Sequence, residues 1–354
     1  MAVSPFDHPF LSGLLGDDEA AAAFSAEADL VAAREFELEL ARAQGAEGLI
    51  PAAAAEAIVT ALSGFVHDME ALRTGTARDG VVVPELVRQM RKAVGPQGEY
   101  VHFGATSQDV VDTSLAIRLK TVVSILDRRL ASLVSALEDL DSRFGATPVM
   151  AHTRMQAAIP VTASRKIASW RDPLLRGRER LAAAAAKVTV LTLGGAAGTL
   201  DRFDGRGSAV AGRMAAALGL GQVDRPRHSE RDGIADLAAA LSLLTGSLGK
   251  IGQDVALAAQ SEVGEIRLTS GGGSSAMPHK VNPVGAETLV ALSRFNATLV
   301  SGMHHALVHE NERSGAAWTL EWMILPQMAV AAAAALRIAL DLVDGIEFVP
   351  GEDA

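Results

Sequence analysis

Between Thr269 and Glu287 the chain reads TSGGGSSAMPHKVNPVGAE, a Gly- and Ser-rich loop that abruptly sets a lysine and an asparagine between two prolines. A segment made only for reach would continue in small polar residues, whereas Pro278 and Pro283 stiffen the backbone around Lys280 and Asn282. The loop is built to move and then to hold something. Three further stretches join hydroxyl, amide or cationic donors to a break in helical pattern: HFGATSQD (His102 to Asp109), HTRMQAAIP (His152 to Pro160) and RPRHSERD (Arg225 to Asp232). HExxH, GxGxxG and GxxxxGK[ST] patterns are all missing. Donors in such numbers describe a site for carboxylates rather than for a metal, a dinucleotide or a nucleotide phosphate, so neither metal nor cofactor is expected. The LGGAAGT run at Leu193 to Thr199 follows a helical pattern rather than a strand and reads as a structural or substrate-lining turn.

Long helices must carry these loops. From Val110 to Phe144 there is no Gly or Pro, and Leu119, Val123, Leu126, Leu130, Leu133, Leu137, Leu140 and Phe144 recur at alternating steps of four and three. That spacing predicts a helix of about 50 Å with a sustained apolar stripe. Asp112 or Thr113 is positioned to bond its first amides, although an earlier start is open, and Gly145 ends it. Similar patterns run from Ser164 to Leu191, Asp232 to Glu265, Val284 to Glu310 and Met323 to Val343. No run of alternating β-branched residues predicts a sheet. The fold class is therefore all-α, a long-helix bundle with a smaller N-terminal helical domain (1–108), a central bundle (109–343) and a short C-terminal tail (344–354). Stripes wider than one thin bundle can bury point to a subunit interface.

The 354 residues are 49% hydrophobic, but much of that is alanine, and the longest apolar run, Met328 to Leu336, is too short to span a bilayer. The N-terminus lacks a basic region before its apolar residues, and the chain contains no cysteine, so a cytoplasmic setting is expected. A net charge of -10 argues against a nucleic-acid surface and leaves a small anionic molecule in a locally positive cleft as the expected partner.

GSSAMPHKVNP resembles the signature loop GSSxMPxKxNP of the fumarase/aspartase superfamily. HFGATSQDVVDT and HTRMQAAIPVT are similar to that superfamily's first and second conserved regions, in the same order. ERSGAAWTLEW (Glu312 to Trp322) is similar to the corresponding segment of the bacterial 3-carboxy-cis,cis-muconate cycloisomerase branch. The chain also ends where adenylosuccinate lyases continue into another helical domain. The resemblance implies a homotetramer whose core completes the helical stripes and whose sites are each shared between subunits.

By the same resemblance, Ser274 is the general base, with Lys280 and Asn282 holding the carboxylate next to the reacting carbon and Gly271, Gly272 and Gly273 supplying hinge freedom. Thr106, Ser107 and Gln156 match positions that bind substrate carboxylates, although capping of the following helix is an alternative for the first two. His102 and His228 either contact substrate or satisfy buried amides, and Met277 and Arg231 complete the substrate-binding set. Where adenylosuccinate-type lyases have Thr-His, this chain has Thr153-Arg154. A guanidinium cannot donate a proton near neutral pH, but it can orient a carboxylate that closes a lactone. Glu287 matches the acid that orients the missing histidine, and is expected either to pair with Arg154 or to be an exposed helix-surface glutamate. The implied activity is lactonisation of 3-carboxy-cis,cis-muconate in aromatic catabolism. Alternatives are the sulfonated analogue, an adenylosuccinate-type lyase, or a catalytically silent structural tetramer.

Overall fold

The computed structural model describes residues 4–269, 271–273, 277 and 280–350. Six helices come first: α1 (Ser12–Leu15), α2 (Asp18–Ala22), α3 (Ala26–Ala46), α4 (Ala52–Ser63), α5 (Met69–Asp79) and α6 (Val83–Val94). A 3-10 turn at Gly95–Tyr100 leads to α7 (Ser107–Phe144), a hairpin of β1 (Pro148–Thr153) and β2 (Gln156–Thr162), and α8 (Ala163–Val188). The chain continues through α9 (Gly207–Leu218), α10 (Asp232–Ala258), β3 (Ile266–Leu268), α11 (Val284–His305), α12 (Gly315–Asp344) and β4 (Ile346–Phe348). The long-helix, all-α bundle expected from the sequence is what the chain forms.

Five long helices make the bundle, with α7, α10 and α12 running one way and α8 and α11 returning. The α7 stripe faces inward: Leu126, Leu130, Leu133 and Leu137 are fully buried. Ala331 to Ala335 of α12 are equally buried, because small side chains let that helix sit at the bundle centre. Two glycines bring α10 against α11: a Cβ at Gly249 would meet Ser293 Oγ, and one at Gly252 would meet the Ala286 carbonyl. By length and composition α10 and α12 are both apolar enough to cross a membrane, more than the short Met328 to Leu336 run suggested. Their apolar faces are instead consumed by packing, with 72% of the α12 stretch buried.

Several boundaries differ from the sequence reading. Helix α7 starts at Ser107, so neither Asp112 nor Thr113 caps it; both side chains point inward to other loops. Helices α10 and α11 stop at Ala258 and His305, short of Glu265 and Glu310. HTRMQAAIP contributes to an antiparallel hairpin that β-branching did not announce, with Thr153 opposite Gln156. The tail is pinned at its start, where β4 pairs with β3 and buries Ile346 and Phe348. A second apolar core joins residues between Leu30 and Val101 to Val110 and Ala116 of α7 and to residues between Leu191 and Leu220.

Candidate active site

At the N-terminal end of α7 the site rests on Asp109, whose side chain is fully buried. Its Oδ1 accepts from Gly194 N (2.8 Å) and His228 Nε2 (2.8 Å), and its Oδ2 from Gly195 N (2.9 Å) and Thr106 N (3.0 Å). One carboxylate thus ties together the start of α7, the Gly-rich 193–199 turn and the 225–232 loop. An ionised carboxyl has about four lone-pair sites, and here four donors occupy them. Gly194 has no room for a side chain, since a Cβ would lie 2.8 Å from His228 Cε1. His228 is therefore held as a structural donor, with its Nε2 committed to Asp109 rather than free for a ligand. Thr106 is the residue before the helix, and Ser107, half-buried in its first turn, has no side-chain partner among the described residues.

One turn further in, Arg231 lies between Asp112 (2.7 Å) and Glu321 (2.6 Å), all three buried. Trp318 Nε1 donates to Asp112 at 3.2 Å, and the buried ring of His309 lies 3.5 Å from Glu321. Burial pushes the Glu321 carboxyl up, but Arg231 and His309 outweigh it and hold it below the usual carboxylate range. Burial opposes the Arg231 charge, yet Asp112 and Glu321 more than compensate, and the guanidinium is held firmly protonated. Arg231 was expected to bind substrate; both its carboxylate partners are internal, and its place is inside the wall of the site. The residue that sequence reading missed at this end is Arg313. Among the described residues its guanidinium bonds neutral acceptors, Gln108 Oε1 (2.9 Å) and the Ala196 carbonyl (3.2 Å), and no carboxylate.

The opposite end of the bundle carries Arg154, Gln156, Lys280, Asn282, Met277 and Glu287. Arg154 and Met155 form the hairpin tip, both with positive φ (49° and 66°). A two-residue turn of this kind favours Asn-Gly, because side chains crowd the backbone in the left-handed region. Met155 is also 72% exposed. Gln156 follows at the tip, exposed, its Nε2 donating to the Met155 carbonyl at 3.1 Å.

Lys280 is exposed, and Asn282 Nδ2 donates to the Gly273 carbonyl at 3.4 Å. Backbone bonds join Gly272 and Asn282 in both directions (3.0 and 2.8 Å) and close the base of the signature segment. A Cβ on Gly271 or Gly272 would strike Val281 or Val284 at 2.5 Å. Those two glycines serve close packing at the neck, a different task from the hinge freedom expected of them, while Gly273 has open space around it. Ser274 lies outside the described residues. Clefts of about 630 Å³ around His152 and Arg154 and about 760 Å³ around Lys280 and Asn282 share Gln260 at their border. Glu287 is exposed on the first turn of α11, and Arg154 and Glu287 form no ion pair within one chain, so the expected pairing is absent there.

The two ends do not meet in a single chain. Helix α7 has 38 residues and spans about 57 Å at 1.5 Å per residue, with Thr106 at its start and the hairpin just past its end.

A sequence model described as lyase matches residues 18–295. The 3-carboxy-cis,cis-muconate cycloisomerase of Pseudomonas aeruginosa is 38% identical over 333 residues, covering 92% of this chain and 72% of the relative. The protein of that name from Bradyrhizobium diazoefficiens is 36% identical over 346 residues, covering 96% and 77%. The crystal structure of 3-carboxy-cis,cis-muconate lactonizing enzyme from Pseudomonas putida superposes with a TM-score of 0.91 at 33% identity, covering 97% of this chain and 78% of that one. The chain belongs to the fumarase/aspartase superfamily.

As a superfamily member it departs from the lyase pattern at one informative place, the Arg154–Met155 turn. The turn pays in backbone conformation for side chains that a stable hairpin does not need, which is the signature of a functional constraint. Replacing Arg154-Met155 by Asn-Gly should stabilise the hairpin, by about 1 kcal/mol per relieved residue, while lowering turnover at least tenfold; urea unfolding and steady-state assays together check this. At the other end, Arg231→Met should cost about 3–5 kcal/mol near pH 7, because two buried carboxylates then face each other without their cation. Glu321 is depressed in the folded state, so its contribution is present above its ordinary value near 4.3 and is lost as pH falls through the lower folded value. Unfolding curves taken down through about pH 4.3 should therefore show a constant deficit above that value and a shrinking one below it, where the wild type loses the Glu321 contribution.

Proposed function

We propose that this chain is a cofactor-independent cycloisomerase that closes 3-carboxy-cis,cis-muconate to a carboxymuconolactone, in a cytoplasmic route for aromatic-acid breakdown. The observation that carries the reading is likeness to cycloisomerases over about nine-tenths of the chain, joined to a non-titrating Arg154 where an amine-releasing lyase needs an acid. In this reading the substrate's own carboxylate forms the new C–O bond, and the π electrons of the double bond take a proton from Ser274. That carbon lies next to the carboxylate held by Lys280 and Asn282, whose charges and dipoles stabilise the delocalised negative charge. Arg154 orients the attacking carboxylate through its planar fork. In reverse, Ser274 acts as the base and the carboxylate is expelled without needing an acid.

The separation of the two donor-rich ends supports a homotetramer in which each site gathers the Thr106 end of one subunit and the Arg154 and Lys280 ends of others. Apolar side chains left exposed on the long helices, Leu175, Leu243 and Met323, suit burial between subunits. An intersubunit site also leaves room for Glu287 to reach Arg154 of a neighbour.

Incubation with 3-carboxy-cis,cis-muconate, its sulfonated analogue and adenylosuccinate in parallel tests the assignment; loss of the muconate absorbance with the first substrate is the expected result, and release of fumarate from the third with no muconate turnover would refute it. Thr106→Ala and Lys280→Met should each be crippled as pure tetramers. Mixed and allowed to exchange subunits, they should recover measurable activity, because some sites then contain both intact ends. Proven exchange without recovery would mean that each site is completed within one subunit.

A further inference from the structure

His102 is held in a conformation that its own backbone resists, with φ at 61°. Three helices hold the turn in place: Gln44 of α3 donates to the Phe103 carbonyl (2.7 Å), Arg91 of α6 donates to the Val101 carbonyl (3.1 Å), and Asp109 of α7 accepts from Thr106 N. A left-handed histidine fixed from three sides is a position where the side chain, rather than the turn, is being served. Its Nδ1 lies 2.6 Å from Oε1 of Glu37, a carboxylate on α3 whose side chain is only 1% exposed. An ionised carboxylate only accepts, so Nδ1 carries the hydrogen of this bond. The other ring nitrogen, Nε2, has no partner among the described residues and is not among the sealed, unpartnered polar atoms, and the side chain is 13% exposed.

We propose that Glu37 is a positioning residue that fixes the tautomer of His102 and keeps its ring protonated, so that Nε2–H is a charged donor for one carboxylate of the polyanionic substrate. This deepens the proposed function and rests on it for the identity of the anion. The device resembles a carboxylate–imidazole pair in which the buried acid orients the ring and stabilises its cation. Here it supplies a titratable cation at the Thr106 end, apart from Arg154 and Lys280 at the opposite end. The charged groups around the ring are Glu37 on α3, Asp109 on α7 and Arg91 on α6. Burial pushes the imidazole down and Arg91 opposes its charge, but Glu37, aided by Asp109, outweighs both and raises it above the ordinary value. The donor is therefore fully charged at pH 5.5 and is lost as pH rises through that raised value.

Two measurements test this, and only one needs turnover. In protein carrying ring-labelled histidine, with the His102 signal assigned by its loss in His102→Gln, the ring should titrate above about 6.5 in the wild type and at least about one unit lower in Glu37→Gln. An unchanged titration in Glu37→Gln overturns the proposal, whatever the enzyme acts on. In the steady state, Glu37→Gln should raise KM for 3-carboxy-muconate about tenfold at pH 7.5 and less than about threefold at pH 5.5, with kcat nearly unchanged. An equal loss at both pH values means that Glu37 is merely structural. His102→Gln keeps a neutral donor and should make KM independent of pH between these values; a wild-type pH profile in that variant also overturns the proposal and does not depend on Glu37→Gln folding. Failure of the cycloisomerase assignment would appear separately, as absent turnover by the wild type, with the ring titration still decisive for Glu37.

Discussion

Everything at the Thr106 end depends on one buried carboxylate. Asp109 accepts four hydrogen bonds, one from Thr106 beside it and three from two segments that are 85 to 119 residues distant from it in sequence. Each donor alone would be costly to bury, and the carboxylate alone more so; together they are satisfied with nothing left over. The consequence is geometric, because the first turn of α7, the 193–199 turn and the 225–232 loop are all referenced to the same two oxygen atoms. Ser107 and Gln108 on α7 and Ala196 in the 193–199 turn, the last two of which accept from Arg313, are then held in positions that Asp109 relates to one another, the kind of preorganisation that an anion site needs before its ligand arrives.

The second constraint is length. A helix of 38 residues cannot fold back within its own span, so whatever the chain places at its two ends remains apart. The bundle to which this helix belongs is consequently a spacer as much as a core. Its five members alternate in direction and deliver loops to both ends, and the donors are divided between them: hydroxyls, Arg313 and His102 at one, Arg154, Lys280 and Asn282 at the other. A site needing both sets is economical only when several copies pack side by side with their ends interleaved.

Much of this was legible in the sequence and some was hidden for definite reasons. The heptad spacing from Leu119 to Leu140 predicted the α7 stripe, because burial on a helix leaves a periodic trace. The start of α7 at Ser107 is the earlier one that the sequence leaves open, and Thr106 followed three residues later by Asp109 is close to the capping-box pattern that marks it. The hairpin was missed since MAHT and QAAIPV lack alternation: exposed on most of its surface, it has no buried face to write a period of two. Roles of His228, Arg231 and Glu37 were out of reach, because their partners are fixed by tertiary contacts of 65 to 119 residues' separation that no local pattern encodes. Family resemblance drew attention to these loops but carries no means of separating side chains that face a cleft from those that hold its wall.

The charges sort themselves by that distinction. Arg231, deep in the wall, is answered by Asp112 and Glu321, and a cation so enclosed has no field left for a substrate. Arg154, Lys280 and Arg313 have no carboxylate partner among the described residues, although the chain as a whole carries a net charge of -10. An acidic protein that leaves chosen guanidinium and ammonium groups unanswered at loop ends creates local positive potential against a repulsive background, which favours small polyanions that fit the clefts over extended ones that must also meet the acidic surface. Under the proposed function, discrimination among such anions falls to hydrogen-bond geometry: the planar fork of Arg154, the neutral donors of Thr106 and Ser107, and a histidine that a buried glutamate positions. Binding strength can come from the fixed cations, while the choice of ligand comes from groups that the fold must hold at a cost.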